Sequence, residues 1–70
     1  MDIKVYFMKH TAIVTGASRG IGKVLALRLA SLNYNLSIVG RSGQLLKELK
    51  SEIESVGSNC LIIETDISLD

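Results

Sequence analysis

Three short runs of apolar residues divide the chain, and each run has the length of a β-strand. They cover residues 11–15 (T-A-I-V-T), 36–39 (L-S-I-V) and 60–63 (C-L-I-I), and the first two are followed directly by Gly16 and Gly40. Their apolar residues are mostly consecutive rather than alternate, a pattern typical of strands that are covered on both faces. The chain is therefore predicted to contain three strands of a buried sheet.

The two segments between these runs repeat their apolar residues at helical spacing. In the first segment, residues 21–32, the apolar positions that share one predicted face are Ile21, Val24, Leu25, Leu27, Leu29 and Leu32. The second helix is predicted to start after Ser42 as its N-cap and to stop at Gly57. The apolar positions of its predicted face are Leu45, Leu46, Leu49, Ile53 and Val56.

The order strand, helix, strand, helix, strand predicts an α/β fold with a parallel sheet built from βαβ units. Right-handed crossovers in a sheet that grows in one direction place both helices on the same face. The opposite face and the edge beside the first strand are then expected to be uncovered. We therefore expect residues 1–70 to be one portion of a larger single domain, with residues 1–8 as an extra N-terminal segment.

Composition narrows the function classes. Eight Lys and Arg against seven Asp and Glu give a net charge of +1, which provides no basic field for nucleic acid. The apolar runs are far shorter than the roughly 20 residues that a membrane helix needs, so a cytoplasmic protein is expected. A single cysteine, Cys60, and a single histidine, His10, supply neither an internal disulfide nor a set of zinc ligands.

A glycine-rich turn lies between the first strand and the first helix. A helix N-terminus has unpaired N–H groups and a partial positive charge, so it binds phosphate when side chains do not block the approach. Gly16 permits the tight turn off the strand, Gly20 lets the backbone approach a diphosphate, and Gly22 lets the helix pack close to the sheet. Ser18 adds a hydroxyl and Arg19 a positive charge at the rim.

Two other interpretations of this turn compete. The glycines could serve the turn alone, but three of the six glycines in the chain lie within seven residues, which is more than a turn needs. A P-loop requires a glycine five residues before Gly22 and a hydroxyl two residues after it. Ala17 and Val24 occupy those two positions, so a nucleoside triphosphatase is excluded.

The pattern T-G-x-x-x-G-x-G in this context resembles the cofactor fingerprint of the short-chain dehydrogenase/reductase family, and the resemblance covers residues 9–70. It implies a Rossmann-like fold, of which this chain is the N-terminal βαβαβ part of a doubly wound parallel sheet. In the family, an acidic residue and its apolar neighbour after the third strand contact adenine, as Asp66 and Ile67 would here. The predicted cofactor-binding residues are Gly16, Ser18, Arg19, Gly20, Ile21, Gly22, Arg41, Asp66 and Ile67.

The end of the second strand indicates which dinucleotide is bound. An acidic residue there binds the ribose 2′-hydroxyl of NAD, whereas an arginine accommodates the 2′-phosphate of NADP. Gly40 stands where the acid is expected and Arg41 follows, while Arg19 is placed to reach the same phosphate. NADP(H) is therefore the predicted cofactor. The alternative is that both arginines are ordinary solvated charges and that Asp66 is a solvated loop carboxylate.

The reacting groups of the family are missing from the sequence. The resemblance implies a proton relay through a tyrosine and a lysine four residues later, but His10 and Ile38 follow Tyr6 and Tyr34 at that spacing. The family's Asn-Asn-Ala-Gly segment and catalytic serine are also absent, so no catalytic residue is predicted. Tyr34 is interpreted as a packing residue, and Cys60 as a small buried hydrophobe.

These observations predict the NADP(H)-binding part of an oxidoreductase that transfers a hydride between the cofactor and a carbonyl or alcohol substrate. The full-length parent is expected to be a homo-oligomer. The sequence does not identify its substrate and leaves open an acyl-carrier-protein ketoreductase, a sphingoid-type ketoreductase and a general carbonyl reductase. The alternative is a naturally short, non-catalytic nucleotide-binding or interaction module, or the product of a truncated gene.

Overall fold

The computed structural model describes residues 3–17 and 20–65. They form a four-stranded sheet and two helices, in the chain order β1 (Val5–Met8), β2 (Thr11–Thr15), α1 (Gly20–Ser31), β3 (Asn35–Gly40), α2 (Gly43–Ser55) and β4 (Cys60–Glu64). The strands lie side by side in the order β1-β2-β3-β4. β2, β3 and β4 are parallel, which confirms the predicted βαβαβ arrangement.

The expectation of an open edge beside the first predicted strand is wrong. β1 pairs antiparallel with β2 along that edge, from Val5 opposite Val14 to Met8 opposite Thr11. Lys9, in the turn that joins the two strands, has a φ of 39°. The physical reason is local, since residues 5–8 (V-Y-F-M) are rich in residues that favour strands and lie one tight turn away from β2.

Both helices pack on one face of the sheet, as predicted. Residues of α1, α2, β2 and β3 form one hydrophobic core, in which Val14, Ile38, Leu46 and Ile53 are completely buried. Lys23 of α1 forms an ion pair of 3.3 Å with Glu52 of α2, so the helices lie next to each other. The buried positions of α2 are Leu46, Leu49 and Ile53, which lie within the predicted face, whereas Leu45 and Val56 of that face are exposed.

The predicted buried face of α1 is largely wrong. The residues that this helix buries are Gly22, Ala26, Leu29 and Ala30. Ile21 and Val24 are 71% and 67% exposed, and Leu25 and Leu32 are exposed as well. The reason is close packing, because small residues let the helix axis approach the sheet and the larger apolar side chains must then turn outward.

The other face of the sheet carries an apolar surface that we call the open face, formed by Tyr6, Met8, Ile13, Leu61 and Ile63. Strand register places these residues on one side, opposite the helices. Tyr6, Met8 and Leu61 are each more than half exposed, and Ile63 is 42% exposed. Both helices pack on the other side of the sheet, so within residues 3–17 and 20–65 this face has no covering helix, as the sequence predicted.

Candidate functional site

The glycine-rich turn and the end of the second parallel strand lie at the same end of the sheet, where the parallel strands finish. β2 and β3 are parallel and in register, with Thr15 opposite Val39, so their carboxyl ends are neighbours. The backbone N–H of Ala17 donates to the carbonyl of Val39 at 3.1 Å, which ties the turn to β3. Crevices at the carboxyl ends of parallel strands are where open α/β sheets bind ligands.

Gly16 and Gly22 form the packed base of this turn. Gly16 is buried and has a φ of 72°, in the left-handed region that favours glycine. A methyl group on Gly22 would collide with the carbonyl oxygen of Gly16 and lie 3.0 Å from the Cα of Ala17. The turn therefore folds back onto the first turn of α1, and only glycine at position 22 leaves room for that contact.

Gly20 differs from these two glycines because no atom of the described residues crowds the space above it. It is the first residue of α1, it is exposed, and no described atom lies within 4 Å of the position of an added methyl group. The first N–H groups of an α-helix have no partner within the helix. Gly20 thus combines donor groups with free approach, which is what a diphosphate requires. Ser18 and Arg19, also predicted for this site, lie outside the described residues.

The side chain of Ile21, another predicted site residue, points largely into solvent, being 71% exposed in the first turn of α1. Its backbone N–H belongs to the donors of that turn. The structure therefore leaves its backbone available to an anion and places its side chain at the rim of the turn. No described contact assigns the side chain a role.

Beside the turn, the segment after β3 presents a positive charge next to a helix start. Gly40 is buried and Arg41 is exposed. The ion pairs among the described residues join Lys23 to Glu52 and Lys50 to Glu54, so Arg41 belongs to none of them. Ser42 is the N-cap of α2 as predicted, and its hydroxyl accepts a bond of 3.3 Å from the N–H of Leu45.

The end of the third parallel strand adds a carboxylate that the sequence analysis missed. Glu64 lies opposite Gly40 in the register of β3 and β4, and the N–H of Thr65 donates to the Gly40 carbonyl at 2.8 Å. A methyl group on Gly43 would lie 2.5 Å from Oε1 of Glu64. The carboxylate therefore rests against the first residue of α2. The sequence holds a weak indication of this contact. An acidic residue comes directly after the third predicted strand, and a glycine directly follows the N-cap of the second helix.

Asp66 and Ile67, the residues predicted to contact adenine, lie outside the described part of the chain. They follow Glu64 and Thr65, whose backbone runs along the end of β3. Their predicted role therefore stays a prediction.

Other side chains with reactive groups lie at the opposite end of the sheet, where the parallel strands begin. His10 precedes β2 and Tyr34 precedes β3, while Cys60 begins β4. Tyr34 packs against Phe7 with ring centroids 5.3 Å apart, and its carbonyl accepts a bond from the Ser58 hydroxyl, which supports the predicted packing role. Burial raises the pKa of the half-buried Cys60 thiol to about 11. None of these groups approaches the glycine-rich turn.

The described residues contain neither a metal-binding cluster nor a helix that could span a membrane. No group of three or more histidine, cysteine or acidic side chains is arranged to hold a metal ion within residues 3–17 and 20–65. In the same part of the chain, neither helix has the length and apolar character needed to span a membrane.

A family model described as short chain dehydrogenase matches residues 10–70. A very-long-chain 3-oxoacyl-CoA reductase of Coccidioides immitis is 46% identical over 59 residues, which cover 84% of this chain and 16% of that protein. A metagenomic short-chain oxidoreductase, solved in complex with NADP, is 35% identical with a TM-score of 0.76 over 81% of this chain and 26% of its own.

An alcohol dehydrogenase from the archaeon Thermococcus sibiricus, solved with 5-hydroxy-NADP, is 34% identical with a TM-score of 0.76, over 81% of this chain and 25% of its own. This chain thus spans about a quarter or less of the length of these relatives. The match to the family model begins one residue before β2 and includes the glycine-rich turn and the end of β3.

Proposed function

The chain belongs to the short-chain dehydrogenase family, and we propose that it forms the NADP(H)-binding part of an oxidoreductase of that family. The observation that carries the proposal is the glycine-rich turn. Gly16 and Gly22 pack against each other, while Gly20 leaves the start of α1 open to an anion. This combination fits the diphosphate of a dinucleotide, because it offers backbone donors without side chains in the way.

The preference for NADP(H) over NAD(H) rests on the segment after β3. Gly40 provides no carboxylate for a ribose 2′-hydroxyl, and the exposed Arg41 forms none of the ion pairs among the described residues. A guanidinium pairs with phosphate oxygens in a favourable fork geometry. Two related structures contain NADP or a derivative of it, which supports the same choice. Arg19 is proposed to add a second cation, and Asp66 with Ile67 to contact the adenine.

The bound cofactor would give a hydride to a carbonyl carbon as NADPH, or accept one from an alcohol carbon as NADP⁺. The residues of this chain bind and orient the adenosine and diphosphate portion, and none is assigned a proton-transfer step. The Tyr-x-x-x-Lys pair belongs, in this proposal, to further sequence of a full-length parent, which acts on a small-molecule carbonyl or alcohol substrate. We also propose that this parent is cytoplasmic and homo-oligomeric.

The test compares both cofactors on the 70-residue chain by isothermal titration calorimetry, which detects binding through the adenosine and diphosphate portion. NADPH is expected to bind more tightly than NADH, and Arg41→Asp to abolish or reverse the preference, because it sets a carboxylate against the 2′-phosphate. Lys47→Asp makes the same change of charge at an exposed position within α2 and serves as the matched control. Equal affinities for the two cofactors in the unmodified chain would refute the cofactor assignment.

A second candidate is favoured by the open face. A short, non-catalytic nucleotide-binding module that completes its sheet with a partner would also present exposed apolar side chains, as Tyr6 and Leu61 are here. The DNA that follows codon 70 distinguishes the two candidates. An open reading frame that encodes a Tyr-x-x-x-Lys segment supports the enzyme, and a stop codon supports the module or a truncated gene.

A further inference from the structure

The carboxylate of Glu64 lies beside the proposed site for the 2′-phosphate. Glu64 ends β4 and stands opposite Gly40 in the strand register. The next backbone N–H, that of Thr65, donates to the carbonyl of Gly40 at 2.8 Å, which fixes the end of β4 against the end of β3. Arg41 follows Gly40 directly, so a cation and an anion flank the same turn.

The position of this carboxylate depends on the glycine that starts α2. Oε1 and Oε2 of Glu64 lie 2.5 and 3.0 Å from where a methyl group on Gly43 would be. The side chain therefore fills the space that any other residue at position 43 would take. α2 has no acidic residue in its first turn, and a negative charge is favourable at a helix N-terminus. Glu64 supplies that charge from the neighbouring strand.

This arrangement has opposite consequences for the two dinucleotides. A 2′-phosphate held by Arg41 also meets a carboxylate of like charge, which weakens its binding. A ribose 2′-hydroxyl instead finds a hydrogen-bond acceptor in the Glu64 carboxylate. Glu64 lies on β4, next to β3, and β3 corresponds to the strand whose end carries the acidic residue in NAD-binding sheets. We propose that Glu64 is a specificity-determining residue that reduces the discrimination between NADPH and NADH given by Arg41. This inference rests on the proposed function.

The probes are 2′,5′-ADP and 5′-AMP, which represent the adenosine half of each cofactor and differ only in the 2′-phosphate. Their dissociation constants are measured by NMR titration of the 70-residue chain. Glu64→Gln keeps the size of the side chain and removes its charge. It is expected to tighten 2′,5′-ADP by about fivefold, the upper range for exposed charges, and to leave 5′-AMP unchanged or weaker. Glu54→Gln removes a charge from the far end of α2 and is the matched control.

Gly43→Ala gives an independent measurement, because it displaces the carboxylate without removing its charge or weakening the helix. It is expected to shift the ratio of the two affinities in the same direction as Glu64→Gln. If the unmodified chain prefers 2′,5′-ADP and neither variant raises that preference beyond the control, the role of Glu64 is refuted while the proposed function stands. If neither nucleotide binds the unmodified chain, the proposed function and this inference are both refuted.

Discussion

Adding one methyl group at Gly22 tests the packing on which the whole site depends. The methyl carbon of Gly22→Ala would lie 3.0 Å from the Cα of Ala17 and 3.0 Å from the carbonyl carbon of Gly16, and closer still to the Gly16 oxygen. All three are backbone atoms, so no flexible side chain can move aside. Either α1 retreats from the sheet or the turn after β2 changes its path.

The expected magnitude follows from two opposing effects. Extra volume in a well-packed region typically costs about 1–3 kcal/mol, and replacing glycine by alanine within a helix recovers up to about 1 kcal/mol. Because all the contacts are with backbone atoms, the cost lies at the upper end of its range, and the free energy of unfolding is expected to fall by about 2 kcal/mol. For a domain of this size, each kcal/mol corresponds to a decrease of about 4–8 °C in the midpoint of thermal unfolding.

Gly20→Ala is the matched control, since it adds the same methyl group two residues earlier, where no described atom lies within 4 Å. Its free energy of unfolding is expected to stay within about 0.5 kcal/mol of the unmodified chain. Thermal unfolding followed by circular dichroism at one protein concentration compares the three proteins. If Gly22→Ala is as stable as Gly20→Ala, the close contact between Gly16 and Gly22 does not exist and the described base of the site is wrong.

Three further predictions concern the phosphate site, the open face and the cysteine. Gly20→Val is expected to weaken NADPH binding by at least tenfold, about 1.4 kcal/mol, with little change in the midpoint of thermal unfolding. An unchanged dissociation constant would mean that the diphosphate lies elsewhere. The 70-residue chain is expected to show no NADPH-dependent carbonyl reduction. It is also expected to self-associate through the open face, and the Leu61→Lys variant should self-associate less than the unmodified chain. Sedimentation equilibrium with hydrogen exchange measures this, and a protected, monodisperse monomer contradicts it. Because burial raises the pKa of Cys60 from 9.0 to about 11, its alkylation by iodoacetamide at pH 8.5 should be slower in the native chain than in denaturant, and equal rates would argue against its burial.

The order of elements and the outline of the site follow from local sequence. Each strand is a short apolar run and each helix keeps its own spacing, so their existence needs no information from distant residues. Ser42 caps α2 through a bond to Leu45, three residues away, which is a purely local contact. The face of α2 was likewise predictable, because its apolar positions alternate with charged ones and only one stripe can be buried.

The face of α1 is a matter of tertiary structure. This helix is apolar on nearly all sides, so spacing alone allows more than one buried stripe. The contact between Gly16 and Gly22 selects the stripe of small residues, because it brings the helix too close to the sheet for larger side chains. Exposed Ile21 and Val24 are the consequence.

The sequence by itself therefore determined the order of the helices and parallel strands, the capped start of α2 and the position of the glycine-rich turn. Each of these depends on residues within a few positions of one another. Only the tertiary structure decided which side of α1 is buried and that Glu64 lies against Gly43. These features depend on which strands become neighbours and how closely backbones approach, and such distances between remote residues leave no periodic pattern along the chain.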